Sequence, residues 1–221
     1  MALTKLIAGN WKMNGLRADG LALARAIATH ARAGNPACDL LVCPPATLVA
    51  AVGEAIAGSG VVLGGQNCHA AEKGACTGDV SAEMLKDAGC SHVIIGHSER
   101  RQHCGETDAD CRAKILAAWR AGLIAVLCVG ETRAEREAGQ EVAVVSSQLA
   151  GSLPENATPD KLATPLGLGL GTRDQPTPSQ CTIRALPHPQ PSAPAWPTAH
   201  TSRADTAATD CKNPTVRKIE R

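Results

Sequence analysis

The residues of this sequence with the most chemical potential come directly after an apolar run at residues 92–96. His97, Ser98 and Glu99 follow the run HVIIG without interruption. An imidazole changes charge near neutral pH and a carboxylate can exchange protons, so this triplet suits general acid–base chemistry. A single triplet of this kind is most often only a solvated turn, so its significance depends on residues elsewhere in the chain.

Polar side chains also follow three other apolar runs. Asn10 and Lys12 lie at the end of the first run, Asn67 follows the third, and Glu131 follows the fifth. The carboxyl ends of parallel strands in an α/β fold all face one way. We therefore expect these groups to meet His97 on one surface, where such folds bind ligands.

A lysine, a histidine and a carboxylate around one pocket suit an anionic substrate and proton transfer next to a carbonyl group. Lys12 would supply positive charge, and His97 would donate a hydrogen bond to a developing enediolate oxygen. If His97 begins a short helix, the positive end of the helix dipole lowers its pKa and favours the neutral imidazole. Hydrolysis by a serine triad fits less well, because Ser98 adjoins His97 and no Gly-x-Ser-x-Gly occurs.

The elements that position these residues are short apolar runs separated by helical patterns. The runs do not alternate apolar with polar residues, which predicts strands covered on both faces, as in a parallel α/β sheet or barrel. An open doubly wound sheet fits the same spacing, but the first run ends in GNWK, without the glycine-rich turn of a dinucleotide site. The five runs span residues 6–11, 39–45, 61–65, 92–96 and 123–130.

The helical patterns carry their own start signals. Thr107 with Asp110, and Thr132 with Glu135, have the spacing of a capping box, and Ser81 precedes a shorter helix. Two further helices are predicted over residues 17–33 and 46–57. We predict that the helix after Thr132 is continuous, with an apolar face formed by Ala138, Val142, Val145 and Leu149.

Composition and charge exclude several classes of partner. The net charge is +1, and the chain contains no phenylalanine or tyrosine. Nucleic acids and anionic membrane surfaces attract strongly basic proteins, and single-stranded nucleic acids also need aromatic faces for stacking, so we expect neither as a partner. The longest apolar run, Leu123–Val129, is too short to span a bilayer. Residues 1–5 lead directly into the first apolar run without the pattern of a signal peptide, so we expect no secretory leader.

The chain has ten cysteines but no Cys-x-x-Cys pair. Most lie in predicted strands or helices, which indicates small buried hydrophobic side chains in a reducing compartment, the cytoplasm. A zinc site is the alternative, and the cysteine spacing fits no usual ligand pattern. The cysteines assigned to strands or helices are Cys38, Cys43, Cys90, Cys111 and Cys128.

The character of the sequence changes past residue 163. Nine of the fourteen prolines fall between Pro165 and Pro214, and proline is incompatible with the interior of a helix or a central strand. We therefore divide the chain into a domain at residues 1–163 and a proline-rich, disordered tail at residues 164–221. Peptide recognition is the alternative role for the tail.

Four motifs in order along the chain closely resemble the triosephosphate isomerase family. They are GNWKMNG (9–15), GACTGDVS (74–81), IIGHSERR (94–101) and CVGE (128–131). The resemblance implies a (β/α)8 barrel, of which this chain carries a partial barrel of about five β/α units. It also implies interconversion of dihydroxyacetone phosphate and glyceraldehyde 3-phosphate, a step of glycolysis and gluconeogenesis, without cofactor or metal.

The resemblance also implies roles for individual residues. Asn10 and Lys12 would bind the substrate and its charge, and His97 would be the catalytic electrophile. Glu99 matches a carboxylate that lines the site and is assigned with the catalytic residues. An ion pair with a nearby lysine is the alternative interpretation of Glu99.

A homodimer is the quaternary structure that the resemblance implies. The segment 67–80 is similar to a loop that inserts into a neighbouring subunit, with Thr77 at its tip. Glu106 and Arg101 resemble a structural ion pair close to that loop.

The resemblance breaks at residues 161–174, which read KLATPLGLGLGTRD. The family has Tyr-Glu-Pro-Val-Trp-Ala-Ile-Gly-Thr-Gly here, with the glutamate as catalytic base and a lid after it. Counting from Lys161 places the base position on Gly167, which cannot abstract a proton, and the tail lacks the family's phosphate-binding loops.

We therefore expect negligible isomerase activity. A non-catalytic remnant, able to dimerise or bind a partner, is the alternative. The abrupt change is typical of a shifted reading frame, which sequencing the transcript across codons 155–175 would test.

Overall fold

The computed structural model describes residues 5–34, 36–155, 157 and 162–163. Its strands run parallel and lie side by side in the order in which they occur along the chain. The strands are β1 Leu6–Asn10, β2 Asp39–Cys43, β3 Val61–Gly65, β4 His92–Ile95, β5 Ile124–Leu127 and the two-residue β6 Leu162–Ala163.

This strand order decides between the two architectures that the sequence allows. A doubly wound sheet reverses its strand order at a switch point, whereas a barrel adds each new strand beside the last one. The sequential order from β1 to β6 is that of a barrel wall, and the five predicted strands are confirmed. The predicted tail at residues 164–221 lies outside the described residues.

The described part of the chain contains seven helices. None of them is both long and apolar enough to cross a bilayer. The helices are α1 Arg17–Gly34, α2 Val49–Ile56 (after a 3-10 turn at Ala46–Leu48), α3 Ala82–Asp87, α4 Ser98–Cys104, α5 Asp108–Arg120, α6 Arg133–Glu137 and α7 Glu141–Ser152.

Local capping explains where the helices begin. The Ser81 hydroxyl accepts a hydrogen bond from the Met84 amide at the start of α3. At α5, the Asp110 amide donates to the Thr107 hydroxyl, and the Thr107 amide donates to the Asp110 carboxylate. Each bond satisfies a backbone donor that has no partner within the helix, so the predicted capping boxes are confirmed. Thr132 forms the second box with Glu135.

The prediction of one continuous helix after Thr132 is wrong. The capping box starts only the short helix α6, and α7 begins afresh at Glu141. Gly139 adopts a positive φ of 69° between them, a conformation that ends helices and that glycine tolerates without steric cost. The two helices therefore do not share one apolar face, and Val142 is 59% exposed.

Two apolar layers lie on opposite faces of the sheet. The outer layer packs the strands against the helices and includes Val42, Val52, Ile95 and Ile115. The inner layer joins side chains from strands that are not neighbours, which requires the sheet to curl. The inner layer consists of Leu6, Leu41, Cys43, Ile94, Val126 and Cys128.

Most of the described cysteines serve as core side chains, whereas Cys104 at the end of α4 is exposed. Five of them, Cys43, Cys68, Cys90, Cys111 and Cys128, are buried, and no disulfide joins the eight described cysteines. Burial raises the pKa of Cys90 to about 11, so its thiol stays protonated near neutral pH. Of the five cysteines predicted to lie in strands or helices, Cys43 and Cys111 do so, while Cys38, Cys90 and Cys128 lie just outside them. Cys38 is also only half-buried.

Gly64 of β3 allows the sheet to curl tightly. A Cβ atom at this position would lie 2.9 Å from Cys43 Sγ, 3.0 Å from Leu41 Cδ1 and 3.2 Å from the His92 carbonyl oxygen. The last of these is backbone and cannot move aside by rotating a side chain. The side chains of the inner layer therefore pack directly against the backbone of Gly64 and leave no room for a Cβ atom there.

We predict that Gly64→Ala destabilises the protein, because the added methyl group overpacks the inner layer. The expected loss in the free energy of unfolding is about 1–3 kcal/mol, measured by urea denaturation. Gly130→Ala is the matched control, because a Cβ there meets no atom within 4 Å. Its stability should stay within about 0.5 kcal/mol of the parent chain. Equal effects of the two substitutions would contradict the packing argument.

Candidate active site

A cavity of about 370 Å³ opens at the carboxyl ends of the strands. Five of the residues that the sequence predicted to converge line it: Asn10, Lys12, Asn67, His97 and Glu99. They come from the ends of β1, β3 and β4. The common direction of parallel strands thus brings together side chains that are up to 89 residues apart, from Asn10 to Glu99.

Lys12, Glu99 and His97 form a chain of contacts on one side of the cavity. Lys12 Nζ donates to Glu99 Oε1 at 2.6 Å, and Glu99 Oε2 lies 3.6 Å from His97 Nδ1. The hydrogen bond from Lys12 holds the pKa of Glu99 below its ordinary value. Glu99 therefore both lines the cavity and pairs with a lysine, which combines the two interpretations of this residue.

His97 is the N-terminal cap of α4, as the sequence analysis expected for a short helix. Its Nδ1 accepts a hydrogen bond from the Glu99 amide at 3.3 Å. A backbone amide can only donate, so the proton of the neutral ring lies on Nε2. Burial lowers the pKa of His97, Glu99 opposes this effect, and Lys12 adds to it. The direction of the shift agrees with the prediction, and burial, rather than the helix end, is its largest cause.

Two predicted members of the cluster lie outside the cavity wall. Ser98 is the first residue of α4, and Glu131 accepts a hydrogen bond from Arg136 Nε at 2.6 Å. Both follow strands as predicted, but neither is among the cavity-lining residues. The turn after β5 directs Glu131 toward α6, because Arg136 lies on that helix.

Thr77, the predicted dimer contact, is exposed in a turn at residues 76–79. The Asp79 amide donates to the Cys76 carbonyl at 3.1 Å across this turn, and Gly78 has a positive φ of 92°. Asp79 and Gly78 line the cavity of the same chain. Thr77 therefore projects at the tip of a turn beside the cavity.

Gln66 and Arg100 are among the cavity residues that sequence reasoning missed. Gln66 directly follows β3, and this position at a strand end is the sequence feature that could have identified it. Its side chain is an uncharged amide, which by itself does not indicate acid–base chemistry. Its Nε2 donates to the carbonyl oxygens of Lys12 and Cys43 at 2.9 and 2.8 Å. Arg100 lies between two residues of α4 that were assigned other roles.

The buried ion pair behind the cavity differs from the predicted one. Glu106 pairs with Arg100 at 2.6 Å and with Lys114 at 3.0 Å, whereas Arg101 pairs with Asp108 at 2.6 Å. The predicted Glu106–Arg101 pair is therefore wrong. Consecutive residues on a helix point about 100° apart, so two adjacent arginines face different partners.

Lys114 connects this buried pair to the cavity. Its Nζ donates to Asn67 Oδ1 at 2.9 Å, and Asn67 lines the cavity. Glu106 also accepts from the Gly96 amide at 3.1 Å, one residue before His97. The buried carboxylate therefore supports two parts of the cavity wall.

Among the described residues, no group of three His, Cys, Asp or Glu side chains could hold a metal ion.

Comparison with known proteins agrees with this arrangement. The model of the family described as triosephosphate isomerase matches residues 5–164 of the chain. The chain belongs to the triosephosphate isomerase family. Triosephosphate isomerase from Dinoroseobacter shibae is 59% identical over 154 residues, a match covering 70% of this chain and 61% of that protein. The protein of the same name from Afipia carboxidovorans is 60% identical over 152 residues, covering 69% and 60%.

A solved structure shows the same relationship in three dimensions. The crystal structure of triosephosphate isomerase from Bartonella henselae aligns with a TM-score of 0.67 at 48% identity, covering 73% of this chain and 66% of that one. The chain thus matches about 60% of the length of these curated triosephosphate isomerases. The matched part includes the described strands and the cavity.

We predict that Glu106→Gln strongly destabilises this member of the triosephosphate isomerase family. Glu106 is 2% exposed, and the change leaves Arg100 and Lys114 without a buried counter-charge, at an expected cost of about 3–5 kcal/mol. Glu83→Gln is the matched control, because it removes a more exposed Arg120 pair at 2.8 Å worth about 0–1 kcal/mol. Urea denaturation of both variants at neutral pH measures the difference.

The effect of Glu106→Gln should also depend on pH. Burial raises the pKa of Glu106, but hydrogen bonds from Arg100 and Lys114 outweigh burial and hold it below its ordinary value. A carboxylate with a lowered pKa stabilises the fold above its unfolded pKa, and this contribution is lost as the pH falls through the folded pKa. The difference between the parent chain and the variant should therefore shrink in acid. A constant difference would contradict the ionic origin.

We predict that the neighbours of His97 shift its pKa in opposite directions. Lys12→Met should raise the pKa of His97, because the nearby positive charge disfavours the imidazolium. Glu99→Gln should lower it, because the carboxylate favours the imidazolium. NMR titration of the ring measures both shifts, with His92, which does not line the cavity, as the internal reference. Shifts of the same sign in both variants would refute this assignment.

Proposed function

We propose that the chain derives from an enzyme that interconverts dihydroxyacetone phosphate and glyceraldehyde 3-phosphate, and that its cavity is the substrate-positioning part of that site. The observation that carries this proposal is the meeting of Lys12, Glu99 and His97 in one cavity at the ends of parallel strands. The match to the triosephosphate isomerase family over residues 5–164 supports it.

The geometry suits proton transfer through an enediol. A base removes a proton from the hydroxyl-bearing carbon next to the carbonyl, and negative charge develops on the carbonyl oxygen. The proton returns to the former carbonyl carbon, while the carbonyl oxygen gains a proton and the neighbouring hydroxyl loses its proton to become the new carbonyl. The neutral His97 ring can donate from Nε2 to that oxygen, and the Lys12 ammonium offsets the charge of the substrate. Glu99 holds the ammonium by a hydrogen bond of 2.6 Å.

We further propose that the chain turns over its substrate very slowly. The resemblance assigns the catalytic base to position 167, which is a glycine and lies outside the described residues. Glycine has no side chain to accept a proton, and a positioned general base contributes about 10²–10⁴ in rate. Binding and electrophilic groups alone do not replace it.

The proposal includes a homodimer formed through residues 67–80, with Thr77 as a contact. The exposed turn around Thr77 beside the cavity supports this assignment. The free thiols support a reducing compartment, the cytoplasm.

A coupled isomerase assay beside a sizing column tests the proposed function. We expect the purified chain to convert glyceraldehyde 3-phosphate at less than about a thousandth of the rate of a complete relative, as a missing base predicts. Lys12→Met is the matched control, because residual turnover at this cavity must fall further when the ammonium is removed.

The outcomes separate the two function classes. A rate near that of a complete relative would refute the missing-base proposal. An inactive dimer would favour the non-catalytic remnant, and residual activity that survives in Lys12→Met would reveal a contaminating isomerase. A monomer on the sizing column would refute the proposed dimer.

A further inference from the structure

Lys12 has an unusual backbone conformation. Its φ is +53°, and it is the one non-glycine residue with a positive φ in the described part of the chain. A residue with a side chain is strained in this left-handed region, and the conformation persists only where its surroundings hold it. The contacts of the Lys12 backbone therefore show what maintains this conformation.

Two side chains hold the Lys12 backbone from opposite sides. The Lys12 amide donates to Asn10 Oδ1 at 2.9 Å, a contact between residues two apart. The Lys12 carbonyl accepts from Gln66 Nε2 at 2.9 Å, a contact that spans 54 residues of sequence. Asn10 ends β1 and lies only two residues before Lys12, whereas Gln66 belongs to another strand end and restrains the loop after β1 from outside.

Gln66 is itself held in place by a second hydrogen bond. Its Nε2 also donates to the Cys43 carbonyl at 2.8 Å, so both amide hydrogens have a backbone acceptor. Cys43 ends β2, and Gln66 directly follows β3. The side chain therefore ties the loop after β1 to the ends of the next two strands.

The backbone conformation of Lys12 determines where its side chain begins. A change from positive to negative φ would swing the Cα–Cβ bond of Lys12 relative to the strand. The Lys12 side chain is 52% exposed, so few packing contacts hold its ammonium 2.6 Å from Glu99. Its direction must come largely from the backbone.

We propose that Gln66 is a positioning residue that directs the Lys12 ammonium into the cavity by holding the Lys12 carbonyl. The inference rests on the proposed function for the role of the ammonium, but the geometry that it concerns is independent of turnover. Gln66 acts through Lys12 and is not required to contact the substrate.

The experiment measures the carboxyl pKa of Glu99 by NMR in the full chain. The Lys12 hydrogen bond is the largest cause that lowers this pKa, and the charges of His97 and His103 lower it further. Gln66→Met has a similar length but no donors, so Lys12 should leave Glu99 and the pKa of Glu99 should rise. Lys12→Met defines the value expected when the contact is lost completely.

Gln148→Met is the matched control. The Gln148 amide also bonds the backbone of a loop, donating to the Gly130 carbonyl at 3.0 Å and accepting from the Gly130 amide at 2.8 Å. Its removal takes away comparable contacts but does not touch Lys12, so the pKa of Glu99 should stay at the parent value.

The inference is supported if Gln66→Met moves the pKa of Glu99 most of the way toward the Lys12→Met value while Gln148→Met does not. It is overturned if Gln66→Met folds and leaves that pKa unchanged, since Gln66 would then be only structural. If Gln66→Met does not fold, Gln66→Asn replaces it. This shorter amide cannot reach both carbonyls, and an unchanged pKa of Glu99 in Gln66→Asn also overturns the inference. An inactive parent chain would leave this titration readable.

Discussion

The ion pair between Lys12 and Glu99 depends on the curvature of the sheet. Lys12 follows β1 and Glu99 follows β4, and two strands lie between them. In a flat sheet, three strand intervals would separate the ends of β1 and β4 by about 14 Å. The Lys12 Nζ and Glu99 Oε1 atoms, at the tips of the two side chains, lie 2.6 Å apart. Curling brings the strand ends inward, and it is possible because small residues such as Gly64 occupy the inner face. The packing of the interior thus determines whether the site can form.

Charged side chains of helix α4 form ion pairs both in the cavity and in the core. Glu99 faces Lys12, Arg100 faces the buried Glu106, and Arg101 faces Asp108. Three consecutive residues of one short helix therefore reach three different partners, because each step along a helix turns the side chain by about 100°. His97 precedes them as the helix cap. The position of the imidazole consequently depends on the exposed ion pair as well as on the buried one.

In the function proposed above, the described site combines substrate positioning with a neutral electrophile. Burial lowers the pKa of His97, and the lowered pKa keeps the ring able to donate without carrying charge. The groups that we propose to hold an anion and polarise a carbonyl come from β1 to β4, which lie within the part of the chain that matches the triosephosphate isomerase family. Proton abstraction is a separate task, and our proposal that this chain lacks the base concerns a different strand. Positioning and proton transfer can therefore be tested separately.

The sequence by itself determined the local structure of this protein and the residues that could form its site. Apolar runs, capping pairs and strand-end polar residues all act over a few positions, which is why the strands, the cap at Thr107 and the meeting of Lys12 with His97 could be predicted. Tertiary structure decided which of two adjacent arginines pairs with Glu106, and that Gln66 holds Lys12. These outcomes depend on where distant segments are placed in space, and no short stretch of sequence contains that information.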